Sequence, residues 1–92
     1  MSSTIITGID VGTHQVRVVI ARQGDGRTPG SKIIGTGTAP SKGMRHGYVV
    51  DSGEVERAVH LAVMEAEQSA GVRIKSAFLS MGGIGVDEVR AR

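Results

Sequence analysis

Ile6-Thr7-Gly8-Ile9-Asp10-Val11-Gly12-Thr13 reads as an apolar strand running into a tight turn. Residues 4–10 are rich in β-branched side chains and end on Asp, as a buried strand does before a turn. After a turn over 11–14, residues 15–22 form a second strand, with Val16, Val18 and Ile20 on one face and Arg17 and Val19 on the other. Such a turn can hold an anion. Asp10, delivered at the strand end, can hold a hydrated magnesium ion beside a polyphosphate. Gly12 has no β-carbon to keep an anion away from the backbone. Thr13 adds a hydroxyl, and successive N–H groups of the turn can converge on one oxygen. A carboxylate beside a phosphate is repulsive unless a cation lies between them, so the arrangement implies Mg2+. The bland alternative is a plain hairpin, because Asp, Gly and Thr favour turns anyway. No Gly-Lys-Ser/Thr follows, which excludes a Walker loop, and a strand stands where a dinucleotide fingerprint needs a helix.

Outward from this hairpin, residues 23–30 are a turn-forming loop without an apolar side chain. Residues 31–39 resume as a third strand, whose Gly35 and Gly37 suit a sheet edge or the close approach of another backbone. The three strands make an antiparallel meander. Residues 40–47 break the pattern as a polar, basic loop with Lys42 and Arg45; a solvated loop is expected, with contact to a phosphate or an acidic neighbour as the alternative. After a brief extended piece over 48–50, Asp51 stands as a helix N-cap with Glu54 in the capping-box position. Val55, Ala58, Val59, Ala62, Val63, Ala66 and Ala70 then recur at helical spacing, a stripe expected to face the core, and Gly71 is suited to end the helix. Residues 74–81 form another strand, and a glycine-rich turn leads to a last extended piece over 86–92. The order β-β-β-α-β predicts an α/β layer fold, one helix covering one face of a mixed sheet.

Composition narrows the classes. The 92 residues include 14 glycines but a single Tyr and a single Phe, so aliphatic side chains must supply the core. A chain of this length buries only about 60–65% of its unfolded surface and is marginally stable alone. Without cysteine there is neither a disulfide nor a thiolate metal site. His14, His46 and His60 lack the paired spacing of zinc ligands. The net charge of +2 comes from interleaved acids and bases, not from a basic stripe with stacking aromatics, so nucleic acid is not an expected partner. Neither a secretory leader pattern nor an apolar run of about 20 residues is present, and a cytoplasmic, soluble chain is expected.

An apolar strand ending in Gly8-Ile9-Asp10-Val11-Gly12-Thr13 and followed by a second strand resembles the first phosphate motif of the actin, sugar-kinase and heat-shock-chaperone ATPases. On that motif Asp10 matches the aspartate on the magnesium side, reached through water. Gly12 and Thr13 match the phosphate-contacting turn, and His14 and Gln15 add backbone N–H groups. The stretch from Gly35 to Asp51, with Ser41-Lys42-Gly43-Met44, a later Gly47, apolar Tyr48-Val49-Val50 and Asp51 opening a helix, is similar to one in the FtsA family of bacterial cell-division proteins. The helix through Val55, Ala58, Val59, Ala62, Glu65 and Ala66 and the strand Ile74 to Met81 continue the likeness, which covers nearly all the chain from Ile5.

That resemblance implies an actin-like, ribonuclease H-like ATPase subdomain, incomplete here: residues 1–83 as the first part of subdomain 1A and 84–92 as the start of an inserted subdomain, 1C. It implies ATP and Mg2+ as ligands of the full-length protein. Its partners would be FtsZ and other division proteins, with self-association into actin-like filaments. Attachment to the cytoplasmic face of the inner membrane at the division site would run through a C-terminal helix lying beyond this sequence. Hydrolysis would be weak at most. The chain is accordingly expected to be a fragment with half a nucleotide cleft and no full activity. A sugar kinase or a pilus-assembly ATPase of the same superfamily remains the alternative, since the hairpin motif alone does not choose between them.

Overall fold

The computed structural model describes residues 4–24, 30–46, 48–81 and, as backbone, 84–90. Strands β1 (Thr4–Val11), β2 (Gln15–Gln23) and β3 (Ser31–Pro40) form the expected antiparallel meander. Two short strands, β4 (Met44–Arg45) and β5 (Tyr48–Val49), pair as a separate hairpin. Helix α1 (Ser52–Ala70) follows, then β6 (Ser76–Met81) and β7 (Ile84–Arg90). The five long strands make one sheet in the order β3-β2-β1-β6-β7. The parallel pair among the described residues, β1 with β6, is reached by the crossover through α1, because parallel neighbours cannot be joined by a hairpin. The result is α/β, a mixed sheet with one helix.

The alternation in β2 has the predicted consequence. Val16, Val18 and Ile20 are fully buried under α1, joined by Val11 and Ile9 from β1 and Ala77 from β6. The helix supplies Val55, Ala58, Ala62 and Ala66 to this core, with Val59, Val63 and Ala70 partly buried beside them. Small side chains on α1 meet glycines on β3, so the two backbones come unusually close. A β-carbon at Gly35 would stand 2.7 Å from the Ala66 carbonyl oxygen, and one at Gly37 would overlap the Ala62 carbonyl. Both readings of these glycines hold, since β3 is also an edge strand.

Helix α1 begins as expected at Asp51, whose carboxylate accepts a hydrogen bond from the Glu54 N–H at 3.2 Å. Only that half of the capping box forms. The Asp51 N–H donates to the Gly43 carbonyl at 3.1 Å, and the Glu54 carboxylate pairs with Arg57. Gly71, in the left-handed conformation at φ 72°, ends the helix by donating to Glu67 O.

Two expectations shift. Strand β6 starts at Ser76, two residues later than predicted; the Ile74 N–H is taken by the Glu67 carboxylate at 2.8 Å, ahead of the strand. The segment 40–47 is not wholly loop: Met44 and Arg45 pair with Val49 and Tyr48, and Met44 is buried in the core. A single apolar residue among Lys, Gly, Arg and His gives no periodicity to betray this. Strand β7 runs antiparallel to β6 at the end of the sheet. The boundary expected at 83/84 abuts Gly82 and Gly83, which with residues 91–92 and the middle of the 23–30 loop lie outside the described residues.

Candidate functional site: the hairpin between β1 and β2

The turn is anchored on both sides. Val11 and Val16 face each other across the ladder and are fully buried, which fixes where the intervening residues emerge. The Gly12 N–H donates to the Gln15 carbonyl at 3.0 Å and closes the turn. A β-carbon at Gly12 would meet that same oxygen at 3.0 Å, so the closed turn itself favours glycine here. One of the backbone donors foreseen for an anion is thereby engaged inside the hairpin. Thr13 and His14 form the tip, and among the described residues their N–H groups carry no hydrogen bond. Thr13 is half-buried, whereas His14 and Gln15 are exposed.

Asp10 lies on the opposite face of the sheet from α1, at the end of β1, and is exposed. The register sets it directly between Arg17 on β2 and Ser80 on β6. Those three, with Gly8, Val19 and Phe78, border a shallow depression of about 290 Å3 on the uncovered face. Neighbours in a ladder stand about 5 Å apart at their β-carbons, so Asp10 has a cation and a hydroxyl within side-chain reach. Neither neighbour follows from the hairpin motif. Arg17 could be placed on this face by alternation, but Ser80 arrives only through the parallel pairing of β1 with β6.

A second neighbour was not foreseen. The Ser41 N–H donates to the His14 carbonyl at 3.0 Å, so the Ser41-Lys42-Gly43 loop is pinned to the hairpin tip. The Gly43 carbonyl accepts from Val50 and Asp51 N–H, which ties the same loop to the start of α1. Gly43 can do this because it adopts φ 87°, a left-handed conformation that a side chain resists. The Ser41 hydroxyl is buried without a hydrogen-bond partner. His14, Gln15, Thr38, Ala39 and Pro40 border a cavity of about 310 Å3 beside the tip. Lys42 is exposed and flanks a separate groove with Arg57 and Leu61.

The donor set suits an anion at the tip with a cation near Asp10. The Thr13 and His14 N–H groups carry no hydrogen bond among the described residues, Thr13 adds a hydroxyl, and the Asp10 carboxylate stands at the neighbouring strand end. Among the described residues no three His, Cys, Asp or Glu side chains converge as a metal cage. A magnesium ion here would rely on a single carboxylate, water and phosphate oxygens, its common mode in nucleotide sites.

No family model matches the chain. Among curated proteins it is similar to the cell division protein FtsA of Streptococcus pneumoniae, 38% identical over 77 residues, or 84% of this chain and 16% of that one. It is 44% identical over 69 residues to the cell division protein FtsA of Enterococcus faecalis, covering 75% of this chain and 15% of the relative. For the cell division protein FtsA of Pseudomonas aeruginosa the identity is 36% over 83 residues, covering 89% and 19%. The chain thus matches less than one fifth of the length of each of these relatives.

Proposed function

Because the chain belongs to the FtsA family of cell-division proteins, we propose that its β1–β2 hairpin is the first phosphate-binding element of an ATP-binding, actin-like protein. The observation that carries this reading is the hairpin tip: unengaged Thr13 and His14 N–H groups on a turn locked between buried valines, with exposed Asp10 alongside. The mixed sheet in the order β3-β2-β1-β6-β7, with its helix on one face, is compatible with part of an actin-like fold.

The division of labour follows from the residues. The Thr13 and His14 N–H groups bind phosphate oxygens, the Thr13 hydroxyl adds a further donor, and the Gln15 backbone holds the turn closed. Asp10 would hold a hydrated Mg2+, which when bound would supply positive charge to offset that of the phosphates. Arg17, across the ladder from Asp10, adds a fixed positive charge on the same face. In the whole protein this half-site would face a second one. ATP would set conformation and self-assembly into filaments more than support turnover, in a protein linking FtsZ filaments to the membrane at the division site.

The test is a titration of the isotope-labelled chain with MgATP, followed by NMR. The amides of Thr13 and His14 should shift most, with a dissociation constant on the order of 1 mM, as expected for a few charge-assisted hydrogen bonds from one hairpin. Asp10→Asn should abolish the magnesium dependence while leaving the fold intact. Shifts confined to other residues would defeat the assignment.

A further inference from the structure

Asp10 alone is a thin hold for a divalent cation, and its surroundings point to a second one. A depression of about 290 Å3 lies beside it on the sheet face away from α1. Among the described residues that border it, Gly8, Ile9, Val19 and Phe78 carry no side-chain oxygen, and Arg17 is a cation. Ser80 is left as the other side chain there able to accept a hydrogen bond from water.

Strand pairing sets the two oxygen-bearing groups side by side. Asp10 is the register partner of Ser80 in the parallel ladder and of Arg17 in the antiparallel one. Its carboxylate therefore has a hydroxyl on one side and a positive charge on the other. Ladder neighbours stand about 5 Å apart at their β-carbons. A magnesium ion bound through water reaches an outer partner at about 5 Å, the sum of about 2.1 Å to the water and about 2.8 Å for its hydrogen bond. One hydrated ion thus has the span to touch both groups.

Electrostatics selects the side. Coulomb repulsion from Arg17 disfavours a cation on the β2 side of Asp10, so the β6 side, where Ser80 stands, is the better one. Arg17 has not closed onto Asp10 in place of an ion: among the described residues the one ion pair is that of Glu54 with Arg57.

We propose that Ser80 is a positioning residue for the metal, its hydroxyl accepting a hydrogen bond from a water of the magnesium ion that Asp10 holds. The ion then sits between β1 and β6, and the parallel pairing of these strands is what builds its site. This rests on the reading of the β1–β2 hairpin as a magnesium-nucleotide element.

The test is an NMR titration of the isotope-labelled chain with ATP, with and without magnesium. Ser80→Val should cut the advantage of MgATP over metal-free ATP about tenfold at an unchanged circular dichroism spectrum, whereas Ser80→Thr, of the same shape but with a hydroxyl, should keep it within about twofold. With a trace of Mn2+ in place of magnesium, the Ser80 amide should broaden more than the Arg17 amide. Equal losses in the two variants, no loss in either, or stronger broadening at Arg17 would overturn the proposal. If Asp10→Asn still erases the advantage in those cases, the hairpin reading stands without Ser80. If ATP shifts neither Thr13 nor His14 in the unaltered chain, that reading fails and the role of Ser80 fails with it.

Discussion

Two hairpins in this chain are built on opposite plans. The one between β1 and β2 is the end of a long ladder, with fully buried Val11 and Val16 at its base, and only its tip meets solvent. The one between β4 and β5 is two residues long on each side, buries Met44, and turns Tyr48, Val49 and Val50 outward. In the first, core packing dictates position and leaves the tip open to solvent. In the second, position depends on backbone hydrogen bonds to Gly43 and on the neighbouring helix cap. A motif carried by regular strands is therefore sturdier than one carried by a loop, and it is also easier to recognise.

That contrast can be broken from either side. The largest loss should come where both hairpins share support, the seam of β3 with α1. Gly37→Ala would drive a β-carbon into the Ala62 carbonyl and lift the helix, costing about 3 kcal/mol by denaturant unfolding. Against a total near 5–10 kcal/mol for a domain of this size, that is a large fraction. If Gly37→Ala is tolerated, the close approach is not what holds the layers together. Next comes Gly43→Ala, where a left-handed φ of 87° and a β-carbon 2.9 Å from that of Glu54 should cost about 2 kcal/mol. Its amide exchange should rise in residues 44–50 far more than in residues 11–16; equal rises would mean that the two hairpins are not separately supported. Asp51→Ala removes the helix cap and should cost about 1 kcal/mol in thermal unfolding. The smallest effect belongs to the exposed strip. Tyr48→Ser with Val50→Ser should change stability by about 0.5 kcal/mol or less, since neither side chain is packed.

The same contrast explains what could be read in advance. The meander, the helix with its cap at Asp51 and stop at Gly71, and the inward stripe of valines and alanines were all legible. Each is a local periodicity or a local capping rule. The capping box was half legible, because the Asp51 N–H finds its partner in Gly43, eight positions back in a loop. The β4–β5 pairing was hidden, since two-residue strands carry no alternation. At the β1–β2 hairpin, the candidate residues Asp10, Gly12, Thr13, His14 and Gln15 could be named from the motif. That the Gly12 N–H closes the turn, and so is not among the free donors, required the geometry.

The sequence by itself determined the order of elements, the covered face of β2, and a turn chemically suited to an anion, because these depend on residues within a few positions of one another. It also determined the family, through the spacing of short motifs along nearly the whole chain. The tertiary structure alone decided what surrounds the hairpin. Ser80 stands beside Asp10 only because β6 pairs in parallel with β1, some 70 residues apart in sequence. Ser41 holds His14 because β3 returns along β2. Pairing register and the close passage of one backbone past another are set by the packing of the whole layer, and no local stretch of residues encodes them.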